Sequence, residues 1–301
     1  MYVITGATGN TGSIIADTLL AKGEKVRVIG RDAAKLERFV KKGAEAFVAS
    51  LDDATALERA FAGATAVYAL IPPNPVAEDL RAYQAKISSA IAAAIQKAGV
   101  AYAVSLSSLG ANHAEKVGPI GGLYDLEQKL NGVPSLNALH LRPAFFMENF
   151  LRYIGAIKSM GMMPGVVKGD LSVPMIATPD IAAVATESLE HLTFSGQQVR
   201  ELHGPRDYTL KEAAAILGHA IGKDGLSYKA VPGFMVKMAM RQMGLSASMA
   251  DAVVEMSEAM NDRLLDPLEP RSAQNTTPTT LEQFATEVFA PAFRGKAAAS
   301  H

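Results

Sequence analysis

The chain has 301 residues, hydrophobic residues make up 49% of it, and 29 Lys and Arg against 30 Asp and Glu leave a formal charge of −1. That length suits one large α/β domain with a smaller lobe, and the near-neutral charge argues against nucleic acid or an anionic membrane as the main partner. There is no cysteine, which excludes disulfides, thiolate metal sites and cysteine nucleophiles; no metal site is read from the remaining residues.

The chain opens with a short apolar run, Tyr2, Val3 and Ile4, typical of a buried parallel strand. Gly6, Gly9 and Gly12 follow at G-x-x-G-x-x-G spacing, and Ile14, Ile15, Leu19 and Leu20 then recur at helical spacing. A second strand over residues 25–29 completes a βαβ unit, whose right-handed crossover sets the glycine turn at the carboxyl edge of the sheet. Such a turn lets backbone approach a diphosphate, and the free N–H groups and positive dipole end of the helix hold the anion. Thr8, Asn10 and Thr11 add side-chain donors. After the second strand come Gly30, Arg31 and Asp32, with Lys35 one helical turn on. Arg31 suits a 2′-phosphate held bidentately and Lys35 adds charge, so NADP(H) is expected over NAD(H). Asp32 is the N-cap that would have to turn inward to favour NAD.

The alternation continues with a helix over 33–42 and a strand over 46–49. The Ser50-Leu51-Asp52 corner follows, where an adenine ring is expected, and Asp53 caps a helix running to Phe61. A fourth strand, 64–71, ends in Leu70 and Ile71 before Pro72-Pro73-Asn74-Pro75, a stiff stop beside the cofactor path. A long helix over 76–98 stops at Gly99, and a fifth strand, 101–106, carries Ser105 into Ser107 and Ser108. Residues 112–122 read as a loop, 123–130 as a helix and 136–141 as a sixth strand entering Arg142-Pro143-Ala144-Phe145-Phe146-Met147-Glu148-Asn149. The pattern predicts a Rossmann-type doubly wound parallel sheet with helices on both faces.

Beyond this the alternation loosens. A loop is expected over 161–169, a strand over 173–176, a helix over 180–192 capped at Thr178 or Asp180, and a strand over 199–203. A helix over 209–221 begins at the capping box Thr209-Leu210-Lys211-Glu212. Residues 233–260 read as helical and methionine-rich, an adaptable apolar surface for core packing or a dimer face ahead of a pocket for a flat or variable ligand, and a last helix spans 280–289. The expected division is a dinucleotide-binding domain over 1–150 and a smaller, mostly helical lobe over 151–295, some of whose segments return to the sheet. A disordered tail over 296–301 completes it. No apolar run reaches membrane-spanning length and no secretory signal is seen, so a cytoplasmic protein is expected.

Together ITGATGNTG, VIGRD, SSLGA and LRPAFFMEN resemble the NmrA-like branch of the atypical short-chain dehydrogenases. The later Thr178-Pro179-Asp180-Ile181 and His203-Gly204-Pro205…Tyr208-Thr209 segments extend the resemblance over most of the chain. It implies that Thr8 to Thr11 hold the diphosphate and Arg31 the 2′-phosphate. It also implies Leu70, Ile71 and Pro72 beside the ribose and Pro143, Ala144, Phe145 and Phe146 beside the nicotinamide. Ser105 is grouped with these cofactor-binding residues.

Relatives of this kind are NADPH-dependent quinone and dye reductases or regulators that bind the dinucleotide. Short-chain dehydrogenases commonly pair a tyrosine with a lysine four residues on, which lowers the tyrosine pKa. Here Tyr124 is followed at that distance by Gln128. Tyr124, Ser107 and Ser108 are the candidate catalytic residues, each with a plain structural alternative: a helix-surface tyrosine and strand-end caps. The expected function is hydride transfer from NADPH to a quinone or similar flat acceptor. A redox sensor with a protein partner is the alternative, and a nucleotide-sugar epimerase a weaker one.

Overall fold

Seven parallel strands in the order β10-β6-β5-β4-β1-β2-β3 form the main sheet of the computed structural model, which describes residues 1–295. Its first part runs β1 (Tyr2–Ile4), α1 (Asn10–Ala21), β2 (Val26–Gly30), α2 (Ala33–Val40), β3 (Glu45–Val48), α3 (Ala54–Phe61) and β4 (Ala66–Ala69). It continues through α4 (Leu80–Ala98), β5 (Tyr102–Leu106), α5 (Ile120–Asn131) and β6 (Asn137–Pro143). The order turns back on itself between β1 and β4, so the loops after these two strands diverge and open a crevice at the carboxyl edge.

Local chemistry explains the boundaries. Asp32, Asp53 and Asp79 each accept a backbone N–H from the first turn of α2, α3 and α4, a cap that contributes about 1 kcal/mol. Asp79 also sets the start of α4 at Leu80, later than the helix expected from Val76, because residues 72–75 hold three prolines that stiffen the approach. Helix α5 begins at Ile120, ahead of the expected 123.

The second part begins with β7 (Phe145–Phe146), a 3-10 turn over Met147–Tyr153, α6 (Ile154–Met160), β8 (Met162–Gly165), β9 (Ser172–Ile176) and α7 (Thr178–His191). Strand β10 (Gln197–Leu202) then pairs with β6 and closes the main sheet. With β10, α7 belongs to the first layer: Ile181, Ala185 and Leu189 share one core cluster with Ile15 and Leu19 of α1. Helices α1, α2 and α7 cover one face of the sheet and α3, α4 and α5 the other.

The remaining chain forms β11 (Asp207–Thr209), α8 (Leu210–Ala220), β12 (Ser227–Ala230), α9 (Gly233–Gln242), α10 (Ala247–Asn261) and a closing helical stretch beginning with α11 (Leu281–Phe284). Several expectations are corrected here. The 161–169 loop contains β8, which pairs with β12, and the lobe holds two small sheets beside its helices. The methionine-rich 233–260 stretch is two helices, broken where Gly244 takes φ +89°. Neither Thr178 nor Asp180 caps α7. Its N-cap is Ala177; Glu148 accepts from the Thr178 N–H and hydroxyl, and Asp180 accepts from Thr279. The 296–301 tail expectation lies outside the described residues.

Candidate functional site

The turn after β1 is built by close backbone approach. Gly6 sits at φ +61°, a Cβ on Gly12 would clash with the Gly6 carbonyl oxygen, and the Gly9 N–H donates to that same oxygen at 2.9 Å. Thr8, Gly9 and Asn10 are exposed at the start of α1, so its first N–H groups face solvent across the crevice. Thr11 is turned the other way. Its buried Oγ1 accepts from the Tyr68 hydroxyl at 2.9 Å, a bond that ties the turn to β4. Burial pushes the Tyr68 hydroxyl pKa up, keeping it a donor there. Of the four turn residues expected to hold a diphosphate, three are presented outward and Thr11 supports them from behind.

Arg31 and Lys35 are exposed at the end of β2 and the start of α2, and neither forms an ion pair among the described residues. Asp32 Oδ1 caps α2 by accepting the Ala34 N–H at 3.0 Å. Across the crevice, Tyr83 donates to the Pro72 carbonyl at 3.1 Å; burial raises its pKa, against the opposing pull of nearby Arg31. Asp52 is held below the ordinary carboxylate range by its bonds to Lys86, at 2.7 Å, and to Ser50. Leu51 is buried, and Ser50 is exposed on the same corner.

Along the sheet edge the crevice deepens into a cavity of about 320 Å³. Its floor is Leu106, Ser107, Ser108, Pro143 and Ala144, its walls include Leu70, Ile71, Leu123, Phe145 and Phe146, and Met256, Met260 and Leu265 form its ceiling. The lining is overwhelmingly apolar, with Ser107, Ser108 and Asn149 as its polar side chains. The methionines divide accordingly. Those of α10 face the cavity or core, whereas Met235, Met238 and Met243 around α9 are exposed.

Ser107 is 3% exposed and gives its hydroxyl hydrogen to Glu127 at 2.5 Å. Glu127 is gripped in turn by Arg142, through Nε at 2.9 Å and Nη2 at 2.6 Å. The position of Glu127 as a carboxylate behind Ser107 is not evident from sequence. The available signal was a charged residue on the apolar face of α5 and another at the end of an apolar strand. Ser108 makes no side-chain hydrogen bond among the described residues. Ser105 is buried and bonded to His140 Nδ1 at 2.7 Å, beneath the cavity floor, while His140 Nε2 meets Asn131 at 2.8 Å. Burial holds the His140 pKa down. Tyr124 is half-buried on α5, does not line the cavity and makes no hydrogen bond among the described residues.

The NmrA-like family model matches residues 2–285, nearly the whole described chain. The chain belongs to the NmrA-like family. An NAD(P)H azoreductase of Xenophilus azovorans is 30% identical over 258 residues, covering 85% of this chain and 86% of that protein. An uncharacterized oxidoreductase of Bacillus subtilis (strain 168) is 26% identical over 295 residues, 94% and 93% of the two chains. Among solved structures, this NmrA-like chain shares its fold with an NADPH-dependent quinone oxidoreductase of Escherichia coli complexed with NADPH. The TM-score is 0.78 and the identity 24%, with 96% of this chain and 100% of that one covered. It also shares its fold with a Citrobacter sp. triphenylmethane reductase complexed with NADP(H), at TM-score 0.79 and 19% identity, with coverage of 95% and 99%. The Rossmann-type fold expected from the alternation is therefore the fold of the family.

Proposed function

We propose that the protein is an NADP(H)-dependent oxidoreductase that reduces a quinone or a similar flat, dye-like acceptor. The observation that carries this reading is the continuity of one cleft across Leu70. This side chain packs against the Gly6 turn, within 2.8 Å of where a Cβ would stand, and it also lines the apolar cavity. A dinucleotide held at the start of α1 by Gly9 and Asn10, with its 2′-phosphate on Arg31, would reach the cavity floor along Leu70 and Ile71. The azoreductase, whose name specifies NAD(P)H, supports both the cofactor and the class of acceptor.

When bound, NADPH supplies hydride. The chain's own residues supply the rest. Arg31 has no carboxylate partner among the described residues and can pair with a phosphate, which favours NADP(H) over NAD(H). The apolar walls exclude water and hold a planar ring against the floor. Ser108, its hydroxyl unengaged, is placed to donate to a developing oxyanion. A reduced quinone takes its proton from water, so the Gln128 that stands four residues after Tyr124 is no obstacle.

Single-turnover oxidation of bound NADPH against a panel of quinones and azo dyes, with NADH alongside, tests the reading. Acceptor-dependent loss of NADPH absorbance is expected. Tight binding with no oxidation by any acceptor would replace this reading with that of a dinucleotide sensor.

A further inference from the structure

The two serines on the cavity floor are not equivalent, and the difference comes from what lies behind them. Arg142 carries only donors and engages both oxygens of Glu127, so the carboxylate is committed to accepting. The single hydrogen of Ser107 is drawn to the same carboxylate at 2.5 Å, while its backbone N–H is fixed on the Leu141 carbonyl at 2.7 Å. With that hydrogen spent, Ser107 presents only lone pairs to the cavity. Ser108 keeps its hydrogen to give.

We infer that Glu127, held by Arg142, is a positioning residue that makes Ser107 an obligate acceptor, and that Ser107 receives the carboxamide N–H of the nicotinamide. The inference rests on the dinucleotide reading above. A quinone offers oxygens and no hydrogen, so it has nothing to give Ser107, whereas the nicotinamide amide has two N–H donors. The floor thereby sorts its two occupants: the cofactor amide against Ser107, the acceptor oxygen against Ser108. Removal of the Ser107 hydrogen-bond acceptor, or release of its hydrogen from Glu127, would erase the distinction between an amide and a group of the same shape without N–H.

The test compares the dissociation constants of NADPH and its 3-acetylpyridine analogue, in which a methyl replaces the amide nitrogen, by fluorescence titration of the full-length protein. The native protein is expected to bind the analogue about tenfold more weakly, the worth of one well-made hydrogen bond. Ser107→Ala should bring the two constants close to equality. Glu127→Leu with Arg142→Met replaces the buried pair by apolar volume, a change that cores commonly tolerate. It should reduce the discrimination to about threefold or less, since the Ser107 hydrogen is then free to turn inward. Retained tenfold discrimination in Ser107→Ala would overturn the assignment of the amide to Ser107. Collapse in Ser107→Ala with full discrimination in the folded double variant would overturn the role of Glu127. Failure of the native protein to bind NADPH would overturn the dinucleotide reading, and this inference with it, before any variant is made.

Discussion

The two ends of the cleft are made by opposite means. The end proposed for the phosphates is polar, exposed and assembled from backbone: one turn of a few residues and the first N–H groups of α1, with Arg31 beside them and without an ion pair among the described residues. The cavity end is apolar, enclosed and assembled from side chains contributed by the loop after β4 and by β5, α5, β6, β7, β9 and α10, spread from Leu70 to Leu265. A diphosphate has one shape and one charge, and a short contiguous motif suffices to hold it. A flat organic acceptor has few fixed features, so its enclosure depends on packing among distant segments. The first end can therefore stay constant while the second varies without disturbing it.

Substitutions in the turn break this comparison most sharply. Gly12→Val would drive a side chain into the Gly6 carbonyl and is expected to cost about 3 kcal/mol or more of stability, read as a lowered urea midpoint. Gly9→Val faces that carbonyl at 3.3 Å and should leave the protein folded. It should nevertheless raise the NADPH dissociation constant by about a hundredfold or more, because the valine lies in the diphosphate path. Unchanged affinity would remove the turn from the phosphate end.

Arg31→Ala should weaken NADPH by about ten- to a hundredfold and leave NADH nearly untouched, since only NADPH carries the extra phosphate; equal losses would sink that role. At the other end, Leu123→Phe narrows the cavity wall. It should lower kcat/KM for bulky acceptors by about tenfold with NADPH affinity unchanged, so a joint loss of both would show that the two ends are not separable.

The smallest effect is a pH dependence on the lobe side. His203 is 1% exposed and neither ring nitrogen has a hydrogen-bond partner among the described residues, with Glu201 at 4.0 Å and Arg271, Asp207 and Glu269 nearby. Burial, reinforced by Arg271, lowers its pKa. The unfolded chain takes up this proton first as pH falls through about 6.5, so stability declines toward acid from there. His203→Phe should make the fall in urea midpoint between pH 7 and pH 5 shallower, and an unchanged slope would refute the assignment.

The glycine turn and several element boundaries were legible because their signals are contiguous. Glycine spacing, the caps at Asp53 and Thr209 and the stop at Gly99 each act within a few residues of themselves. The strand pair β8 and β12 was not legible, because Met162–Gly165 and Ser227–Ala230 are short, the first carries proline and glycine, and the two complete each other only after folding. The Ser107–Glu127–Arg142 cluster was hidden for the same reason. Its three residues come from the loop junction after β5 at Ser107, from α5 and from β6, and their meeting is a product of strand register and helix packing. Ser105 and Thr11 show the converse: their positions beside the cleft were readable, but the direction of each side chain, toward His140 and Tyr68, was set by tertiary partners.

The late return of the chain to its own sheet bears on the order in which the protein can be made. Strand β6 acquires its outer neighbour only when residues 197–202 exist, and α7 reaches its seat beside α1 just before. During synthesis the nascent sheet therefore waits, with β6 as a bare edge and the α7-facing side of α1 uncovered, until roughly two-thirds of the polypeptide has emerged. A fragment cut near residue 150 would be arrested in that state, carrying the whole glycine turn on a sheet primed to pair with another copy of itself.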